Sequence, residues 1–372
     1  MDDMFRFADP LGPAKIVHIH VPGVGLKAVV VIDNIARGPA IGGVRMAPDV
    51  SVEECFRLAR AMTLKNAAAG LPHGGGKSVI AANPHMPMAD KEHLMRAFAN
   101  AIRGLTDYIP GPDMGTDEGC MAWVKDEIGR AAGLPPALGG IPLDEIGATG
   151  FGIAVAVEAA QPFCGLELKG ARVAVQGFGA VGYHASRFLM EKGAVLVGAS
   201  DTTATLANPL GLDVAALRAH KHAGQSFADF PSGKVGGTAG GADAILDVEC
   251  DIWIPAARPD VLRADNVRRL RTRIIAQGAN IPATSEAEAA LYARGILVLP
   301  DFIANAGGVI CAAVEVAGGN EAGAFAAIAE KIARNTAEML ERARRNGVAP
   351  RAAALAMAEE RVRDAARYRR WR

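Results

Sequence analysis

Two lysines, Lys65 and Lys77, stand twelve positions apart in Met62-Thr-Leu-Lys65-Asn-Ala-Ala-Ala-Gly-Leu-Pro-His-Gly74-Gly75-Gly76-Lys77, a segment otherwise apolar, small or glycine. No Asp or Glu occurs from Cys55 through Ala89, so neither lysine has a local carboxylate. A desolvated lysine without an acidic partner gives up its proton more easily, which is how lysine becomes a base near neutral pH. The same group is a natural clamp for a small carboxylate; the plainer alternative is two lysines snorkelling from a helix and a loop. Asp113, in Ile109-Pro-Gly-Pro-Asp113-Met-Gly-Thr116, is an acid in a stiff Pro/Gly loop. Alone it reads as a turn or cap residue, and beside a lysine as a proton-transfer partner. Gly38-Pro-Ala-Ile41-Gly42-Gly43-Val-Arg45 reads equally as a hairpin bend with a surface arginine, or as backbone amides near a substrate with Arg45 steadying the site.

A second constellation is Gly177-Phe178-Gly179-Ala180-Val181-Gly182, which follows the apolar run Val173-Ala-Val-Gln and opens a helix. The first glycine permits the tight turn, the second lets backbone approach a pyrophosphate, and the third allows close helix–strand packing. The helix N-terminus then offers amides and its positive dipole end to the phosphates. Asp201 ends the next strand, where an acid accepts from a ribose 2′-OH and repels a 2′-phosphate, so NAD is favoured and NADP is the second choice. Gly74-Gly-Gly-Lys77-Ser78 is not a phosphate loop: the required first glycine is Leu71, and the order strand–loop–helix is reversed.

The remaining chemistry is sparse. Five scattered cysteines with no CxxC pair fit a reducing cytoplasm and provide no metal framework. His18, His20, His220 and His222 read as surface positions, while His73 precedes the glycines leading to Lys77. Zero formal net charge argues against nucleic-acid binding, and neither a signal peptide nor a membrane-length apolar run is expected. The basic stretch from Arg361 to Arg372 reads first as a solvated helix end, then as an oligomer contact.

At 372 residues the chain suits two α/β domains. Strands are expected at Lys15–Val21 and Leu26–Asp33. A Ser51-Val-Glu-Glu54 capping box opens a helix to about Ala69, on which Leu58, Ala61, Met62 and Lys65 share the buried face. A short strand over Ser78–Ala82, helices over Lys91–Leu105 and Met121–Arg130, and a loop over Tyr108–Thr116 complete the first domain. Past the Gly/Pro-rich linker 133–142, strands at Arg172–Gln176, Ala194–Ser200, Ile252–Ile254, Ile274–Ala276 and Ile296–Leu299 alternate with helices, as in a parallel sheet. The expected division is 1–138, joined by C-terminal helices about 325–372, and a Rossmann domain over 139–324.

From Gly38 to Val316 the chain resembles the glutamate/leucine/phenylalanine/valine dehydrogenase superfamily, through GPAIGGVRM, MTLKNAAAGLPHGGGK, PGPDMGT, the Gly-rich turn, IPAA, QGAN and ILVLPDFIANAGGVI. The resemblance implies an NAD(P)-dependent, oligomeric enzyme working in a cleft between its domains, converting an L-amino acid reversibly to the 2-oxo acid and ammonia. It implies that Lys65 binds the α-carboxylate, that Lys77 activates water, and that Asp113 shuttles protons at the substrate nitrogen. Gly42 and Gly43 would border the substrate, and Thr149 and Asn280 the nicotinamide. Glutamate-specific members carry a lysine where this chain has Ile41 and a serine where it has Ala312. Leaving a substrate carboxylate unpaired there costs several kcal/mol. With Val309 and Met114, these positions imply an apolar substrate, branched-chain or aromatic. The alternatives are a glutamate dehydrogenase and a non-catalytic NAD-binding protein on the same fold.

Overall fold

The computed structural model describes residues 5–231 and 238–369. Its contacts define two compact units, Met1–Pro142 with Val309–Ala324 and Leu355–Arg372, and Leu143–Gly308 with Phe325–Ala354.

The first unit is built on a five-stranded sheet in the order β1-β2-β4-β3-β5 (Lys15–Val21, Leu26–Asn34, Gly74–Ala81, Ala40–Ala47, Tyr108–Pro112). β1, β2 and β4 run antiparallel to their neighbours in turn, whereas β3 lies parallel to both β4 and β5. Side chains alternate between the two faces of a strand, and the sequence uses that alternation. Val30, Ile32, Val44, Met46 and Ile80 pack against Leu94, Phe98, Met121 and Val124 of helices α2 (Met88–Ala101) and α3 (Glu118–Ile128). Val31 and Val79 face the other way, onto Cys55 and Ala59 of α1 (Val52–Ala68). Lys77, two residues before Val79, therefore points to the α1 side.

The second unit has a seven-stranded sheet in the order β12-β11-β10-β6-β7-β8-β9. β6 (Arg172–Gln176), β7 (Val195–Ser200), β10 (Ile252–Pro255), β11 (Ile274–Ala276) and β12 (Leu297–Leu299) are parallel. β8 (Ala204–Ala207) and β9 (Thr238–Gly241) add an antiparallel edge. Strand order reverses at β6, and open α/β sheets bind ligands at the carboxyl end of such a switch point. Its helices are α4 (Leu143–Ile146), α5 (Ala148–Cys164), α6 (Ala180–Glu191), α7 (Val214–His222), α8 (Ser285–Ala293) and α9 (Asp301–Ala304), with most of α11 (Glu321–Asn346) and the start of α12 (Pro350–Ala366); α10 (Gly307–Val316) falls largely in the first unit.

Several expectations are corrected. The glycines of 42–43 and 74–76 lie in strands β3 and β4, and Tyr108–Pro112 is a strand, not a loop. The buried stripe of α1 is Cys55, Ala59, Thr63 and Asn66, with Ala61 exposed and Lys65 half-buried beside it. Glycine explains the rotation: a Cβ on Gly75 would lie 2.0 Å from Thr63 N, so the small residues of α1 face the glycine strand at close range. Chain segments also divide differently from the expected 1–138 and 139–324. Glu315 binds backbone at Leu134 and Ile141, holding α10 in the first unit. Arg351 pairs with Glu288 and Asp301, holding the start of α12 in the second. The basic C-terminus is not simply solvated: Arg361 donates to the carbonyls of Ala67 and Ala68, and Arg369 to those of Ile35 and Ala36. Arg370 and Arg372 lie outside the described residues.

Candidate active site

Lys77 stands on β4 with 5 % of its surface exposed, and Asp113 follows directly on β5. Their ion pair is 3.0 Å long, from Nζ to Oδ2. The same oxygen accepts from Arg45 Nε at 2.8 Å, and Arg45 reaches on to Glu54 of α1. Asp113 Oδ1 takes no hydrogen bond among the described residues. Burial pushes the Lys77 pKa below the ordinary lysine value, and the Asp113 charge only partly opposes it. Burial pushes Asp113 upward, but the charges of Lys77 and Arg45 outweigh it and hold the carboxyl below the usual range. The result is a buried amine poised to lose a proton beside a carboxylate that stays ionised.

Tight backbone contacts create the space for this pair. A Cβ on Gly43 would sit 2.7 Å from Asp113 Cβ and 3.1 Å from Lys77 Nζ, so only glycine leaves room. Gly42 serves the sheet instead, since a Cβ there would meet Gly76 O at 1.6 Å, and its carbonyl accepts from Tyr108. Thr116 donates to Val44 O and accepts from Asp113 N–H, fixing the loop that carries the acid. Asn66, which has no distinguishing signal in the sequence, donates to Gly74 O and ties α1 to the glycine run. Arg45, left open by sequence, is part of the ion-pair chain. A charged residue two positions beyond Gly43 on a strand was the available signal, because it shares that glycine's face.

Next to this pair is an apolar wall. Ile41, Ile109 and Ala132 form a buried cluster against which Met62 and Ala312 pack. Ile41 and Gly43 share a face of β3, and their β5 register partners are Ile109 and Gly111. Lys65 occupies the last turn of α1, and Val309 lies one turn before Ala312 on α10. Met114 is 59 % exposed and does not belong to the cluster. His73 is buried, its Nδ1 3.3 Å from Pro39 O, and the surrounding burial lowers its pKa.

In the second unit, Gly177 adopts φ +91° and lies against Ala257, where a Cβ would come within 2.7 Å. A Cβ on Gly182 would meet Gly177 O at 1.9 Å, while one on Gly179 would meet nothing within 4 Å. The middle glycine thus opens onto free space at the uncapped N-terminus of α6, a cradle that fits a pyrophosphate. Phe178 is buried against Tyr183 and Phe227, and Ala180 and Val181 form the first turn of α6. Thr149 lies in the first turn of α5 beside Gly308, and Asn280, in the turn after β11, accepts from Asn305 at 3.0 Å.

Asp201 departs from its expected use. Its Oδ1 accepts from Thr203 N at 2.8 Å, Thr203 Oγ1 at 2.6 Å and Ala204 N at 3.1 Å. Its Oδ2 accepts from Lys221 at 2.7 Å and Phe227 N at 2.8 Å. The burial that would raise its pKa is outweighed by these donors, which hold it well below the carboxylate range. The carboxylate is spent on the β7–β8 turn, and the charge that would repel a 2′-phosphate is paired with a lysine. A cavity of about 520 Å³ lies elsewhere in this unit against Arg273, Tyr292 and Leu340 and shares no residue with either constellation.

The family pattern described as Glutamate/Leucine/Phenylalanine/Valine dehydrogenase matches residues 139–370, and its N-terminal partner, described as the Glu/Leu/Phe/Val dehydrogenase dimerisation domain, matches 13–130. The chain belongs to the glutamate/leucine/phenylalanine/valine dehydrogenase family. It is therefore an NAD(P)-dependent amino acid dehydrogenase, acting on a CH–NH2 donor. A glutamate dehydrogenase of Aeropyrum pernix is 38 % identical over 363 residues, covering 91 % of this chain and 85 % of its own. The Leu-bound hetero-hexameric glutamate dehydrogenase of Thermus thermophilus superposes with TM-score 0.82 at 32 % identity, covering 95 % and 89 %. L-tryptophan dehydrogenase of Nostoc punctiforme gives TM-score 0.76 at 27 % identity over 98 % of both chains. Within the family's range the relatives thus include enzymes named for an acidic and for an aromatic amino acid. No described helix is long and apolar enough to cross a bilayer.

Proposed function

We propose that this enzyme reversibly deaminates an apolar L-amino acid, branched-chain or aromatic, to the 2-oxo acid and ammonia. The observation that carries this reading is the wall of Ile41, Ile109, Ala132, Met62 and Ala312 beside the Lys77–Asp113 pair. Among these residues there is no cation or hydroxyl for a side-chain carboxylate, and stranding one there costs several kcal/mol.

Lys65 would hold the α-carboxylate, the group common to all amino acids. The bound nicotinamide supplies the hydride acceptor in deamination and the donor in the reverse direction. Lys77, whose burial favours release of its proton, takes a proton in its neutral form from the water that attacks the imino carbon. Asp113, ionised at rest, accepts through Oδ1 the proton that the substrate ammonium gives up and returns it to the nitrogen that leaves as ammonia. Gly177, Gly179 and Gly182 would cradle the pyrophosphate, with Thr149 and Asn280 near the nicotinamide. Since Asp201 is committed to its own turn, both NAD and NADP are expected to serve. The match of residues 13–130 to the family's dimerisation domain supports a homo-oligomer. Five free cysteines fit a reducing, cytoplasmic location.

Glutamate dehydrogenase is the rival reading, supported by the name of the Aeropyrum relative. A non-catalytic role has against it the complete Lys77–Asp113–Arg45 arrangement. Ile41→Lys separates the two substrate readings. The expected outcome is a gain of at least about tenfold in kcat/KM for glutamate, with loss of activity on leucine or phenylalanine. Wild-type turnover of glutamate that already exceeds turnover of every apolar amino acid would contradict the proposal.

A further inference from the structure

Glu315 is a buried carboxylate for which the reaction has no use. It lies on α10 three residues after Ala312 and is 8 % exposed. Each oxygen accepts one backbone N–H, Leu134 N to Oε1 at 3.1 Å and Ile141 N to Oε2 at 2.9 Å. No lysine or arginine forms an ion pair with it among the described residues. Burying a charge on two amides is costly, so the interaction calls for a geometric reason.

The reason lies in what those amides belong to. Residues 134–141 close on themselves: Gly140 N–H donates to Pro135 O, and a Cβ on Gly140 would come within 1.7 Å of Leu134 O. Glu315 spans the neck of this loop. The residues just before it border the site. Ala132 belongs to the apolar wall, and its N–H donates to Pro110 O of β5 at 2.8 Å. Gly133, at φ +69°, presses on the Pro112 ring so closely that a Cβ would lie 2.4 Å from Cδ, and Pro112 directly precedes Asp113. Two sides of the pocket, Ala312 on α10 and Ala132 beside β5, are alanines with little side chain to space them by contact. Two backbone hydrogen bonds to one carboxylate hold them at a set separation.

We propose that Glu315 is a positioning residue that sets the width of the substrate side-chain pocket, and so the size of side chain the enzyme accepts. This rests on the reading of Ile41, Ala132 and Ala312 as the pocket wall. A pocket of fixed width separates side chains differing by one methylene by roughly 10- to 200-fold, and a wall free to shift separates them less.

The test is kcat/KM in reductive amination for pyruvate, 3-methyl-2-oxobutanoate, 4-methyl-2-oxopentanoate, phenylpyruvate and 2-oxoglutarate, in wild type and Glu315→Gln. The glutamine keeps the shape and one acceptor but turns an amide NH2 toward the other N–H. The ratio of best to next-best substrate should fall about tenfold or more, through a raised KM for the best one. NADH affinity and kcat on pyruvate should stay within about threefold of wild type, which a general loosening of the fold would not allow. Glu315→Asp, a shorter acid that reaches only one amide at a time, should give an intermediate ratio. A unchanged ratio, or an equal loss on every substrate, overturns the proposal. A wild type that prefers 2-oxoglutarate contradicts the apolar reading by itself; the role of Glu315 is then judged on the same ratio, taken from 2-oxoglutarate.

Discussion

Asp113 Oδ2 is shared by Lys77 and Arg45, and that single oxygen ties the proton states of Lys77 and Asp113 to the fixed charge of Arg45. Lys77→Ala should lower kcat by about 10²–10⁴-fold while NADH binding, followed by fluorescence, is retained; near-normal turnover would remove Lys77 from the mechanism. Arg45→Gln probes the linkage. Its positive charge lowers the pKa of both Asp113 and Lys77, so removing it raises both. Asp113 must be ionised and Lys77 neutral to act, and both conditions are then met only at higher pH. The whole ascending limb of the kcat/KM profile should move to higher pH, as a coupled pair and not as one residue. A limb that stays in place would mean that Arg45 holds structure only.

At the scale of elements, Asp201 shows how a local motif leaves out partners that only the fold supplies. Strand, Gly-rich turn, helix and second strand were legible because each has a local signal, and the acid at the strand end was where it should be. Its five donors come from the β7–β8 turn, from α7 and from Phe227, and only the fold brings the last two within reach. Asp201→Asn should therefore cost roughly 2–3 kcal/mol of stability in denaturant unfolding and leave the NAD to NADP ratio of kcat/KM nearly unchanged. A shift of tenfold or more toward NADP would restore the residue as the reader of the ribose. The glycines teach a related lesson. Gly42-Gly43 and Gly74-Gly75-Gly76 read locally as turns, yet they are strand residues, each stripped of a side chain by something distant in sequence: the Gly76 carbonyl for Gly42, Asp113 for Gly43, Thr63 for Gly75. Lys65, Lys77 and Asp113 stand out in the sequence because residue type and the missing local acid are sequence facts. Arg45 reads two ways in sequence, and Asn66 and Glu315 carry no signal there, since the sheet and α10 bring their partners to them.

For the molecule as a whole, two chemistries are housed on two compact units, and neither unit is a continuous piece of chain. The first holds Lys65, Lys77, Asp113 and the apolar wall, and it needs Val309–Ala324 to complete that wall with Ala312. The second holds the glycine cradle and depends on Phe325–Ala354, where Arg351 locks Glu288 and Asp301 behind the QGAN turn. Family membership rests on matches that run through both units, while substrate identity rests on a few side chains of the first. The most direct measurement is a spectrophotometric comparison of kcat/KM for L-leucine, L-valine, L-phenylalanine, L-tryptophan and L-glutamate with the wild-type enzyme. An apolar amino acid should exceed glutamate by about 100-fold or more, as expected when a carboxylate would be left unpaired against Ile41 and Ala312. Glutamate as the best substrate would contradict the account.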